Sequence, residues 1–181
     1  MSCRMESAVC QSCKSPKGHF QCGACRCTLC KKCAQVLEKN SFPLLDPLPE
    51  VLKHKHYCVP CYNQTVGPAL DDYQLKMRQA KQVFIFNAKK GEETRHYSRT
   101  EKKIQVEGCL DEREALIRLA FKTVSAGFNA AVDVTVAPKK IRNEGYQTMR
   151  WHAVGIPTLV DAAKLNRENK EEREGTFKRL I

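Results

Sequence analysis

Four Cys-x-x-Cys pairs crowd the first third of this chain: Cys10–Cys13, Cys22–Cys25, Cys30–Cys33 and Cys58–Cys61. The two-residue gap lets both sulfurs of a pair turn back onto one ion while backbone amides soften their charge. Eight such thiolates fill two tetrahedral four-sulfur sites, the closed arrangement of structural zinc. With all four positions occupied by protein there is no room for water or substrate, so these sites read as structural and not catalytic. Spacing alone leaves the pairing open. The four residues between Cys25 and Cys30 are too few for an independent ribbon joining the second and third pairs, but a sequential pairing, first with second and third with fourth, remains compatible with it.

The reason for metal lies in size and compartment. Ten of the 11 cysteines fall before residue 62, and a segment this short buries too little apolar surface to hold itself together without metal or disulfides. Met1-Ser-Cys-Arg-Met-Glu-Ser has no apolar core of the kind a secretory signal carries, and no stretch reaches the length of a membrane span. An intracellular, cytoplasmic location is therefore expected, where thiols stay reduced and zinc is the remaining staple. The net charge of +11 is shared by the two halves, +5 over residues 1–70 and +6 over 71–181. Such an excess favours anionic partners, nucleic acid or acidic lipid, without choosing between them.

The chain of 181 residues has room for two small domains. A tail (1–9) precedes the cysteine module (10–66), which leads through a connector (67–81) to a second domain (82–164) and a highly charged end (165–181). Gly67-Pro68 reads as a breaker, followed by a helical turn or two from Leu70. In the second domain Val83–Phe86 is a buried strand and residues 103–109 alternate as another. Asp111 with Glu114 three residues on forms a variant capping box. Leu116, Leu119, Ala120, Thr123 and Val124 keep helical spacing, and Gly127 suits a left-handed cap. Val132, Val134 and Val136 alternate with Asp133 and Thr135 as a half-exposed strand. Residues 146–154 give a further strand, and 159–173 a charged helix after Pro157. The expected fold is thus a small zinc-stabilised domain followed by an α+β domain, ordered strand-strand-helix-strand-strand-helix.

The order of cysteine spacings resembles the FYVE family of cross-brace zinc fingers. The likeness extends through Cys22-Gly-Ala-Cys25, Cys30-Lys-Lys-Cys33, Ser41-Phe-Pro-Leu-Leu, Leu48-Pro49 and Cys58-Val-Pro-Cys61-Tyr62. The resemblance implies a cross-brace fold in which Cys10, Cys13, Cys30 and Cys33 share one zinc and Cys22, Cys25, Cys58 and Cys61 the other. It also implies a lipid-binding candidate. FYVE domains that bind phosphatidylinositol 3-phosphate carry a basic run, Arg-Arg/Lys-His-His-Cys-Arg; the matching stretch here is Lys17-Gly-His19-Phe20-Gln21-Cys22-Gly23. Only Lys17 and His19 could meet a phosphate, Phe20 is what remains of an apolar tip, and Gly23 stands where the family has arginine. The tryptophan-containing motif before the first cysteine is also missing. Peripheral association with endosomal membranes is what the resemblance implies where the lipid site survives; with the basic run depleted, a protein partner is the leading expectation. Cys27 reads as a free thiol, and His54 and His56 as surface residues.

From Glu107 to Asp161 the chain resembles the YbjQ-like domains, on Ala115–Phe121, the stretch Ala126-Gly-Phe-Asn-Ala-Ala-Val-Asp-Val-Thr-Val136, and the strand with Met149 and Trp151 followed by Gly155. Those domains tend to form rings, which implies a homo-oligomer. Cys109, His96 and His152 have no metal spacing and read as core or surface residues. No phosphate-binding glycine loop, nucleophile elbow or His-Glu-x-x-His occurs. Arg95, His96, Arg99, Lys102 and Lys103 beside Tyr97 form a basic cluster that could contact RNA. The leading expectation is a non-enzymatic adaptor whose finger recognises a protein or an anionic membrane surface. Two alternatives are a RING-like E3 ubiquitin ligase, against which the absence of a central Cys-x-His counts, and a nucleic-acid-binding zinc protein.

Overall fold

In the computed structural model, which describes residues 9–88, 94, 97–100, 102–143 and 146–161, the chain divides into two compact units, Met1–Gln74 and Leu75–Ile181.

The first unit has little regular structure. Two-residue strands β1 (Phe20–Gln21) and β2 (Thr28–Leu29) pair antiparallel, as do β3 (Gln35–Val36) and β4 (His56–Tyr57). Its core is small: Leu29, Leu37, Phe42, Leu52, Tyr57 and Val66 are buried. The Tyr57 hydroxyl donates to the Val51 carbonyl at 2.6 Å. Phe42 packs edge-on against Tyr73, whose hydroxyl accepts from the Leu44 amide at 3.3 Å. These contacts tie down the Pro/Leu-rich stretch between the third and fourth cysteine pairs.

After β4 the chain turns helical and does not break at Gly67-Pro68. A first turn α1 (Val59–Cys61) runs into a π-helical segment, Tyr62–Val66, and then into α2 (Gly67–Ala80). The reason lies in the wide turn. The Gly67 amide reaches the Tyr62 carbonyl, a five-residue closure. A π-turn just ahead of Pro68 loosens the spot where the proline ring would otherwise crowd the preceding turn and where its missing N–H would break a narrower ladder. The 14-residue helix that follows replaces the connector read from sequence, and the division between units falls inside it.

The second unit is a four-stranded sheet in the order β5-β7-β8-β6, built from β5 (Phe84–Asn87), β6 (Ile104–Cys109), β7 (Ala130–Asn143) and β8 (Tyr146–Thr158). β5 runs parallel to β7; the other pairings are antiparallel. Helix α3 (Glu112–Ser125) lies on one face. Asp111 caps it by accepting from the Glu114 amide at 2.7 Å, while Glu114 reaches back to the Leu110 amide at 2.6 Å, one residue earlier than a standard capping box. Gly127 closes the end at φ 86°.

Under α3 the core is Val106, Cys109, Ala115, Leu119, Ala131, Val134 and Ala153, with Trp151 packed against it; on the opposite face Phe86, Ala130, Val132 and Val160 cluster with Phe84, Tyr97 and Ile156. The three valines therefore do not share a face. Asp133 adopts φ 52° and the pairing of β7 with β8 slips between Val132 and Thr135. One extra residue flips the alternation, so Val132 and Val134 are both buried, on opposite sides. β8 also runs four residues past the expected end, through Pro157. The Pro157 carbonyl accepts from Thr100 Oγ1 at 3.3 Å, so the side where its N–H is missing is not the one paired with β7. Leu159–Asp161, the start of the expected last helix, are irregular, and the rest of 159–173 and the tail 165–181 lie outside the described residues. Among the described residues no helix is long and apolar enough to cross a membrane.

Candidate metal centres

The local backbone explains how distant cysteines meet. The Gln11 amide donates to the Thr28 carbonyl and the His19 amide to the Leu29 carbonyl, both at 2.9 Å. β2 is thereby held beside the first pair, and the residue after it is Cys30. In the same way the Gly23 amide donates to the His56 carbonyl at 2.8 Å, which delivers Cys58 to the second pair, and the Cys58 amide points at Cys22 Sγ at 3.4 Å. The first two pairs close as tight turns, Lys14 amide to Cys10 carbonyl and Arg26 amide to Cys22 carbonyl. Lys14 (φ 58°) and Arg26 (φ 59°) sit in the left-handed region just past the second sulfur. The fourth pair spans the first turn of α1, with Cys58 as its N-cap.

The outcome is two groups of four sulfurs, Cys10, Cys13, Cys30 and Cys33 in one and Cys22, Cys25, Cys58 and Cys61 in the other, each with all ligand atoms within 4.8 Å of one another. Cys13 and Cys30 sulfurs lie 3.6 Å apart; Cys22–Cys58 and Cys25–Cys58 lie 3.8 Å apart. A disulfide would need about 2.05 Å. A tetrahedron of sulfurs at about 2.3 Å from a central ion has edges of about 3.8 Å, so each group is positioned to hold a metal ion. Within each group two sulfurs are buried, Cys10 with Cys30 and Cys22 with Cys58, while Cys13 and Cys25 are exposed.

The electrostatics fit the same chemistry. Amide donation from Cys13 draws the Cys10 thiol down to about 6. Burial opposes the same change at Cys22, but the amides of Cys25 and Cys58 win and bring it also to about 6. Cys33 and Cys61 are pushed up to about 12, chiefly by sharing a proton with the Cys13 and Cys58 sulfurs respectively. Four crowded sulfurs cannot all ionise unaided; a divalent ion makes all four thiolates and displaces the protons they hold.

The remaining candidates separate. Cys27 belongs to neither group; burial raises its thiol. Lys17 and His19 are exposed, and the Phe20 ring stacks on His56 with centroids 4.1 Å apart. His54 and His56 stay out of the metal groups, as does Cys109, fully buried under α3. In the basic cluster Arg99 is engaged, donating to Asp133 at 2.9 Å and Thr94 at 3.2 Å; Lys102 and Lys103 are exposed, and Arg95 and His96 lie outside the described residues.

The structure also presents a groove that the sequence did not announce. About 710 Å³ in volume, it has Val36, Leu37, Phe42, Leu48 and Leu52 along its apolar wall, and Lys39, Lys53, His54 and Lys55 with a single acid, Glu38, around it. Its residues all come from the stretch 36–55, between the third and fourth cysteine pairs, which folds back on itself where β3 pairs with β4. No protein-family model, curated protein or solved structure matches this chain.

Proposed function

We propose that the first unit is a zinc-stabilised, non-enzymatic recognition module, an adaptor that holds two zinc ions and binds a protein partner in the groove beside β3. The all-sulfur donor sets and their spacing suit zinc, and a site closed by four thiolates has no position left for substrate. The observation that carries the recognition reading is the groove: Val36 is 51% exposed beside buried Leu37, Phe42 and Leu52, and lysines dominate its rim. Its complement is a peptide segment presenting a large apolar side chain flanked by Asp or Glu. An anionic membrane surface has less support, because the side chain of His54 fills the space above Gly23 where the FYVE pattern places arginine.

Peptide display on full-length, zinc-loaded protein tests this. Selected peptides should carry one large apolar residue among acids and lose about tenfold or more in affinity against Val36→Glu. Peptides that bind Val36→Glu as well as wild type would remove the groove as the site. Binding instead to phosphoinositide vesicles, undiminished by Val36→Glu, would favour the membrane.

A further inference from the structure

The last β5 pairing on β7 is Asn87 with Val134, and the last β6 pairing on β8 is Cys109 with Trp151. Beyond them, among the described residues, β7 and β8 pair with each other alone, from Lys139–Arg150 through Lys140–Met149, Ile141–Thr148 and Arg142–Gln147 to Asn143–Tyr146. Five residue pairs at about 3.4 Å each make a two-stranded arm roughly 17 Å long.

The charge on this arm is one-sided in sign and two-sided in space. Between Asp133 and Asp161 the sequence has four Lys/Arg, Lys139, Lys140, Arg142 and Arg150, and one acid, Glu144. Lys139, Lys140 and Arg142 are exposed and Arg150 is half-exposed. None of the four side chains has an ion-pair or hydrogen-bond partner among the described residues. Strand alternation puts Lys139 and Arg150 on one face, directly opposite each other, and Lys140 and Arg142 on the other with Met149, which is 46% exposed. Like charges facing across a ladder destabilise it, and a two-stranded ribbon has little packing of its own to compensate. A flat anionic surface would neutralise one face only. A groove with phosphates along both walls neutralises both, and the B-form major groove, about 12 Å wide, admits a two-stranded ribbon.

We propose that the β7–β8 arm enters the major groove of double-stranded DNA, with Lys139 and Arg150 facing one phosphate wall and Lys140 and Arg142 the other. The contacts are to the backbone, so binding is independent of sequence. Four neutralised phosphates give a slope of log affinity on log salt of about −3.6, an affinity loss of about 150-fold between 50 and 200 mM salt.

The test uses full-length, zinc-loaded protein and fluorescence anisotropy with a labelled mixed-sequence duplex of about 20 base pairs across that salt range. Wild type should bind at low salt with the predicted slope. The fourfold variant Lys139→Gln, Lys140→Gln, Arg142→Gln, Arg150→Gln should lose about tenfold or more at low salt, with its unfolding temperature unchanged or raised. Lys39→Gln with Lys53→Gln and Lys55→Gln should bind DNA like wild type, which separates this site from the groove of the first unit. Absence of duplex binding, undiminished binding by the fourfold variant, or tighter binding to single strands or phosphatidylserine vesicles would overturn the proposal.

Discussion

The Cβ that Gly23 lacks would lie 2.3 Å from the Cβ of His54 and 2.6 and 2.8 Å from its ring carbons Cγ and Cδ2. Gly23 also donates its amide to His56, so the two strands cannot separate to make room without loosening Cys58 from its group. Gly23→Ala should destabilise the first unit by about 1–3 kcal/mol, an overpacking cost, and Gly23→Arg at least as much. Removing the opposing side chain, as in Gly23→Ala with His54→Gly, should recover most of the loss. Resistance to a metal chelator measures it; a Gly23→Ala protein as resistant as wild type would show that the strands can part freely.

Proton release is a second consequence. At neutral pH Cys33 and Cys61, pushed up to about 12, hold protons in the metal-free chain. Each ion must displace at least one, so metal affinity rises with pH and the metal-held fold is lost as pH falls. Zinc titrations at two pH values around neutrality should give a positive slope of log affinity on pH of at least about one per ion. A flat dependence would mean the thiolates are already formed.

In the second unit Asp133 combines a left-handed backbone with an ion pair to Arg99, both side chains about one-third exposed. The pair is worth at most about 1 kcal/mol, whereas a β-branched residue at φ 52° costs about 1–2 kcal/mol more in backbone strain. Asp133→Gly should therefore be tolerated better than Asp133→Val. Urea unfolding followed through Trp151, the single tryptophan, checks the order; the reverse order would mean that the ion pair, and not the bulge, governs this turn.

Features set by neighbours along the chain were legible in the sequence: the four cysteine pairs, the Asp111 cap, the left-handed Gly127 and the strands on either side of α3. Features set by a partner distant in sequence were not. The bulge at Asp133 leaves the valine alternation intact to the eye while reversing the face of Val132. Gly67-Pro68 reads as a stop until the π-turn before it is seen. Grouping of the cysteines was open because spacing does not reveal that Thr28 and Leu29 lie beside Gln11 and His19. The groove gathers Val36, Phe42 and Leu52 because the stretch 36–55 folds back where β3 meets β4, a pairing that spacing does not show. The arm of β7 and β8 was not legible: the valine alternation ends at Val136, and the length of the strands beyond the sheet appears only in the register.

The crossed grouping of cysteines decides everything built on the first unit, and native mass spectrometry of two double variants tests it directly. If Cys10, Cys13, Cys30 and Cys33 form one site and Cys22, Cys25, Cys58 and Cys61 the other, wild type carries two zinc ions. Cys10→Ser with Cys30→Ser then spoils one site and leaves one zinc, whereas Cys10→Ser with Cys22→Ser spoils both and leaves none. One zinc retained by the Cys10/Cys22 variant and none by the Cys10/Cys30 variant would mean sequential sites and contradict the fold described above.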